Sequence, residues 1–137
     1  MCRQSGLTII YIWALAFRGY CLLEQGELDK AETVFIESQE LCNAGGQMSG
    51  IVFTMEGLAF LAIRRQKPNI AVQLLAWANA TREAIEDPRP AIEQADVDRE
   101  LKTVLEMIDE QTYEATYAKG KTLTMPQAIA LSLGKEE

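Results

Sequence analysis

The 137-residue chain has no histidine, only three cysteines and four prolines, and an aromatic fraction of 7%. Without histidine it lacks the side chain that most often serves as general base and metal ligand, and every His-dependent triad is excluded. Cys2, Cys21 and Cys42 are too few and too irregularly spaced for a disulfide framework or a zinc site. An odd number of cysteines without a secretory context reads as reduced thiols in a cytoplasmic protein. Cys21 and Cys42 fall at apolar positions of helical segments, where free cysteine acts as a small hydrophobe. Long apolar runs are missing too. Leu7 to Phe17 covers 11 residues before Arg18 interrupts it, against about 20 for a membrane-spanning helix. Arg3 alone makes a weak n-region and no small-residue cleavage site follows, so neither a membrane span nor a signal peptide is expected. Base is the scarcer charge: 13 Lys and Arg against 20 Asp and Glu leave a net charge of −7. Such a chain repels phosphate backbones, and direct nucleic-acid binding is not expected.

What is present is helical spacing. A hydrophobic fraction of 48% and a charged fraction of 24% are ordinary for a globular domain long enough to bury a core. Leu28, Ala31, Phe35, Ser38 and Cys42 form one helical stripe. Ala71, Leu74, Leu75, Ala78 and Ile85 form a second, and Val97, Leu101, Val104, Leu105 and Ile108 a third. Gly26, Gly45-Gly46, Pro68-Asn69, Asp87 to Pro90, Gly120 and Gly134 punctuate the chain, and no stretch alternates with period two. The expected fold is all-α, with helices near 5–25, 28–44, 47–66, 69–86, 91–109, 110–119 and 125–133. Thr124 and Gln127 make a capping box for the last helix. Lys119-Gly120 reads as the end of the preceding helix, with Gly120 free to take positive φ.

The chain also repeats itself. A shift of 40 residues sets Gly19 on Ala59, Leu23 on Ile63, Ala31 on Ala71, Phe35 on Leu75 and Ser38 on Ala78. Small residues fall on small ones and large apolar residues on large ones. That pattern fits helical hairpins whose small residues admit the antiparallel partner. Hairpins 5–44 and 47–86 are expected, followed by capping helices over 91–135 within a single domain, 1–137.

These residues resemble the tetratricopeptide (TPR) repeat. Gly19, Leu22, Gly26, Ala31, Phe35 and Ser38 follow the motif's order of small, large, Gly, Ala, aromatic and small residues. The second copy runs through Leu58-Ala59, Ala62, Ala71, Leu75 and Ala78, with Gln66 in place of the turn glycine. The period of 40 exceeds the 34 of ordinary TPRs. Further segments are Ala71 to Ala78, Arg82 to Ile85, Pro88 and Pro90, Asp98-Arg99-Glu100 with Leu105, Tyr113 to Lys121 and Leu123 to Ala130. Together these are similar to the C-terminal TPR region of multidomain bacterial regulators built on a STAND-type nucleotide-binding domain. LuxR-type or antibiotic-regulator-type DNA-binding domains, cyclases or kinases accompany that domain in the family. Trp77 stands where the family has a small residue and Asn79 where Glu is frequent. The resemblance implies hairpins stacked as a short right-handed superhelix, binding a protein, a peptide or other domains of a longer chain. The chain itself has neither a phosphate-binding G-x-x-x-x-G-K-[ST] loop nor a basic recognition helix.

Candidate partner-binding residues, chosen by helix position, are Tyr11, Arg18, Glu24, Glu56 and Arg64. The run Leu7 to Phe17 has almost no polar face and should be covered on more than one side, by upstream repeats or by a second copy. A homodimer would bury Ile9, Ile10, Ile12, Trp13 and Leu15. Residues 82–110 hold ten acids against four bases. Asp96, Asp98, Glu100, Asp109 and Glu110 could make a cation site or docking face, or simply a solvated helix face. Arg64, Arg65 and Lys67 could meet an acidic group or complement a helix C-terminus. Trp77, Tyr113 and Tyr117 could line a ligand groove or pack between helices. No spacing suggests a nucleophile with its base, a carboxylate pair, a cofactor or a metal, so no enzyme activity is expected. The expected function is a non-catalytic interaction and signal-sensing module. A stand-alone dimeric adaptor or co-chaperone and a small-molecule sensor are the alternatives.

Overall fold

The structure, a computed structural model, describes residues 6–134, so Cys2 and Arg3 lie outside it. It is all-α: among the described residues there are seven helices and no strand. They are α1 (Gly6–Glu24), α2 (Leu28–Gly45), α3 (Met48–Arg64), α4 (Pro68–Ile85), α5 (Ala91–Leu105), α6 (Glu110–Lys121) and α7 (Met125–Ser132). The chain divides into two compact units at the Gly57–Leu58 bond, inside α3.

In the first unit, up to Gly57, α1 and α2 form a helical hairpin. The stripe of α2 faces inward as its spacing requires: Ala31, Phe35, Ser38 and Cys42 are all buried. Phe35 is the centre of this core. Its ring lies over Gly19 of α1 and Gly57 of α3, and a Cβ on Gly19 would come within 2.7 Å of it. Tyr20 meets the Phe35 ring edge-on, with centroids 5.0 Å apart, and donates its hydroxyl proton to the Phe53 carbonyl at 2.7 Å. Buried polar groups are matched locally. Ser38 donates to the Ile12 carbonyl at 3.0 Å, and the Thr54 hydroxyl lies 2.9 Å from the Ile51 carbonyl within its own helix.

In the second unit, from Leu58 onward, α4 is the central helix and packs against α6 and α7. Ala71, Leu74, Leu75 and Ala78 are buried as expected, and so is Trp77. Ile85, at the end of the same stripe, is exposed, although Arg82 in the same last turn is buried. Gly120 departs from its expected role. It lies inside α6, not in the left-handed region, and a Cβ there would sit 2.5 Å from the Gln73 carbonyl oxygen. Its smallness serves close helix approach rather than a helix stop. The capping box of α7 is formed: Gln127 N–H donates to Thr124 Oγ1 at 3.2 Å and Thr124 N–H to Gln127 Oε1 at 2.9 Å.

The 40-residue recurrence extends to the backbone of the loops. Gly26 and Gln66 both take left-handed φ, at 81° and 63°, and so do Gly46 and Glu86, at 69° and 55°. Glu27 N–H bonds the Leu22 carbonyl and Lys67 N–H the Ala62 carbonyl, each at 2.9 Å. Gln47 to Cys42 and Asp87 to Arg82 repeat a second such closure, at 2.8 and 2.9 Å. Both helix ends use the Schellman-type return, and the chain reproduces each one 40 residues later.

Candidate functional site

Three features could carry interactions: a cleft in the first unit, a cleft in the second, and the outer face of α1. The first cleft lies beside the turn that joins α1 to α2. Arg18 and Leu22 border it from α1, and Asp29, Lys30, Thr33 and Val34 from α2, around about 280 Å³. Leu22 and Val34 are buried and floor it, while Arg18, Asp29, Lys30 and Thr33 are exposed at its rim. Two cations and one anion over an apolar floor suit a peptide or protein surface with an acidic group beside an apolar one.

The second cleft, about 310 Å³, is bordered by Asn79 and Arg82 of α4, the loop through Asp87 and Arg89, and Gln94 of α5. Its polar groups are engaged with one another. Arg89 donates to Asn79 Oδ1 at 2.7 Å and to Gln94 Oε1 at 2.8 Å. Asn79 donates to the Tyr117 hydroxyl at 2.9 Å, and Gln94 to Asp98 at 2.8 Å. Arg82 is buried, donates to the Asp87 carbonyl at 3.1 Å and lies 3.9 Å from a Glu93 carboxylate oxygen. The network is a strut joining α4, α5 and α6. The Tyr113 and Tyr117 rings lie beside it, tilted by 40° with centroids 5.8 Å apart, and partial burial, with Tyr117 nearby, pushes the Tyr113 hydroxyl up from its ordinary value. Trp77 is buried in α4, and Tyr117 reaches α4 through its hydrogen bond with Asn79.

The five residues expected to bind a partner separate. Tyr11 and Arg18 lie seven residues apart on the exposed side of α1, and Glu24 is exposed at its end. Tyr11 donates to Glu37 at 3.1 Å, and that bond with the carboxylate's charge raises the phenol above its ordinary value. Glu56 is only 2% exposed, inside a stretch of α3 buried without break from Gly50 to Ile63. Arg64 is committed to Glu100, its Nη1 donating to Oε1 at 2.6 Å. Of the self-association set, Ile12 and Leu15 are core residues of their own unit, and Ile9 and Trp13 are half-buried. Only Ile10 is freely exposed. The spacing missed Ala14, Phe17 and Cys21, which are exposed on the same face as Ile10. For Cys21 this corrects the expectation of a buried small hydrophobe, whereas Cys42 is buried and its thiol is pushed up by desolvation.

The acidic segment does not gather into one face either. Glu100 is buried, Asp96 pairs with Arg99 at 2.9 Å, and Asp109 caps α6 by accepting from Thr112 N–H at 2.7 Å. No group of three metal-ligating side chains occurs among the described residues. No helix among them is long and apolar enough to cross a membrane.

Comparison with known proteins gives no match: no family model, no curated protein and no solved structure is significantly similar to this chain.

Proposed function

We propose that the chain is a non-catalytic helical-repeat module that binds a protein or peptide, and that it serves a cytoplasmic bacterial signal-transduction or transcriptional regulator. The observation that carries this reading is the 40-residue recurrence, present both in side-chain size and in the two pairs of left-handed loop residues. Repeated hairpins present similar surfaces at regular intervals, and such surfaces bind extended partners by shape. The cleft of Leu22, Asp29, Lys30, Thr33 and Val34 is the surface assigned to the partner, with Arg18 at its edge. Its rim charges orient the partner and its apolar floor supplies the contact area.

The reading is tested by comparing the wild-type chain with Lys30→Glu and with Thr33→Arg. A partner that co-purifies with the wild type and is lost from both variants, at unchanged helicity and Tm, supports it. A partner retained equally by all three removes this cleft from the function. A native gene product no larger than 15.3 kDa would remove the multidomain-regulator part.

A further inference from the structure

Ile10, Ala14, Phe17 and Cys21 follow one another along α1 in steps of four, three and four residues. That spacing aligns a single seam on one face of a helix. All four are exposed, and the two large ones remain 63% and 54% accessible. Among the described residues the other exposed large aliphatic ones, Ile85, Ile92, Leu105 and Leu133, stand near helix ends, where isolated exposure is ordinary.

We infer that this seam is a homodimer interface, in which α1 packs antiparallel on α1 of a second copy. The seam is centred between residues 15 and 16. A two-fold axis there sets Ile10 opposite Cys21 of the second copy, and Ala14 opposite its Phe17. Each large side chain then faces a small one, which is what an isologous contact needs to pack densely. Parallel packing would set Phe17 on Phe17 and Ala14 on Ala14, crowding one layer and emptying the next.

Charge favours the same arrangement. Arg18 is the only charged residue between positions 6 and 23, so nothing else on the seam repels a second copy. On the flank facing α2, the antiparallel register brings Arg18 of the second copy about 3 Å along the axis from Tyr11. Tyr11 is bonded there to the Glu37 carboxylate, so the guanidinium meets both an anion and an aromatic face. Burying the exposed parts of Ile10, Tyr11 and Phe17 with the smaller seam and flank groups removes roughly 500–600 Å² per copy, the low end for a specific interface. An interface of that size belongs to the weak, transient class. Dimerisation does not depend on the cleft described above; Arg18, at the shared edge, is the one residue common to both.

The test uses the full chain carrying Cys2→Ser and Ile10→Cys, with oxidised glutathione as oxidant. In the antiparallel dimer the new thiol lies against Cys21 of the second copy, within the Cα separation of about 4.4–6.8 Å that a disulfide needs. A covalent dimer on a non-reducing gel is expected. The same chain without Ile10→Cys should stay uncrosslinked, because its two Cys21 side chains lie about 16 Å apart. Crosslinking through Cys21 alone would overturn the antiparallel register. A second variant, Ala14→Glu, places a carboxylate at an exposed position and should weaken the dimer about tenfold or more in sedimentation equilibrium, with helicity unchanged. An unchanged dissociation constant in that variant overturns the proposal. So does a wild-type chain that is monomeric at every concentration, which would leave the seam to a different chain.

Discussion

Arg64 Nη1 donates to Glu100 Oε1 at 2.6 Å, joining the end of α3 to the middle of α5 across 36 residues of sequence. The carboxylate is the more enclosed partner, 6% exposed against 31% for the arginine side chain. Removing the cation leaves a buried anion without this partner. Arg64→Ala should therefore destabilise the fold by about 2–3 kcal/mol, somewhat below the loss seen for fully buried pairs because water reaches the arginine side. The double variant Arg64→Ala, Glu100→Leu should recover part of that loss. Urea unfolding of the wild type, Arg64→Ala, Glu100→Leu and the double variant closes the cycle, and purely additive changes would mean that the pair does not couple.

Gly120 gives a steric prediction. An added Cβ would lie 2.5 Å from the Gln73 carbonyl oxygen and 2.6 Å from its Cα, atoms of the α4 backbone that cannot turn aside. Gly120→Ala should cost about 1–3 kcal/mol although alanine is the better helix former. A stabilised variant, measured by thermal unfolding, would show that α4 and α6 are not in close approach here.

Gln66 and Glu86 occupy left-handed positions at φ 63° and 55°, where the preceding hairpin has Gly26 and Gly46. An L side chain there is strained by about 1 kcal/mol. Gln66→Gly and Glu86→Gly should each raise the urea midpoint by roughly that stability, less the added entropy of the unfolded chain. The two effects should add, since the loops are far apart in sequence and share no partner in the hydrogen bonds given above.

Asp109 sets a pH dependence. Hydrogen bonds from Thr112, its side chain first and its backbone N–H second, hold the carboxyl below its ordinary 3.8. A folded-state value below the unfolded one means that the carboxylate's stabilisation is complete above about pH 3.8 and is lost as pH falls through the lowered value. The stability gap between wild type and Asp109→Ala should be constant near neutrality and close in acid. A gap that persists below that range would show that the charged cap is not its source.

The sequence alone determined the local part of this architecture. The stripe from Leu28 to Cys42, the all-α class, the breaks at Gly26, Gly46 and Pro68 and the Thr124–Gln127 box depend on residues within one or two turns of each other, so spacing reveals them. The 40-residue recurrence was legible for the same reason, since each hairpin repeats its own local pattern. Where a side chain's fate depends on a neighbour distant in sequence, only tertiary structure decided. Lys119-Gly120 carries the signature of a helix end, yet the approach of Gln73 and Ala76 makes Gly120 a contact point inside α6. Glu100 reads as part of a solvated acidic face, but it falls with Val97 and Val104 on the buried side of α5, and Arg64 makes that burial tolerable. On α1, an apolar run with almost no polar face gives spacing nothing to orient it. Packing against α2 covers Ile12, Leu15 and Ala16, while Ile10, Ala14 and Cys21 stay outward and Phe17 sets only its ring edge against Phe53, 54% of the residue remaining exposed. A periodic pattern reports which faces a helix has, and only the neighbours that reach it decide which of them is covered.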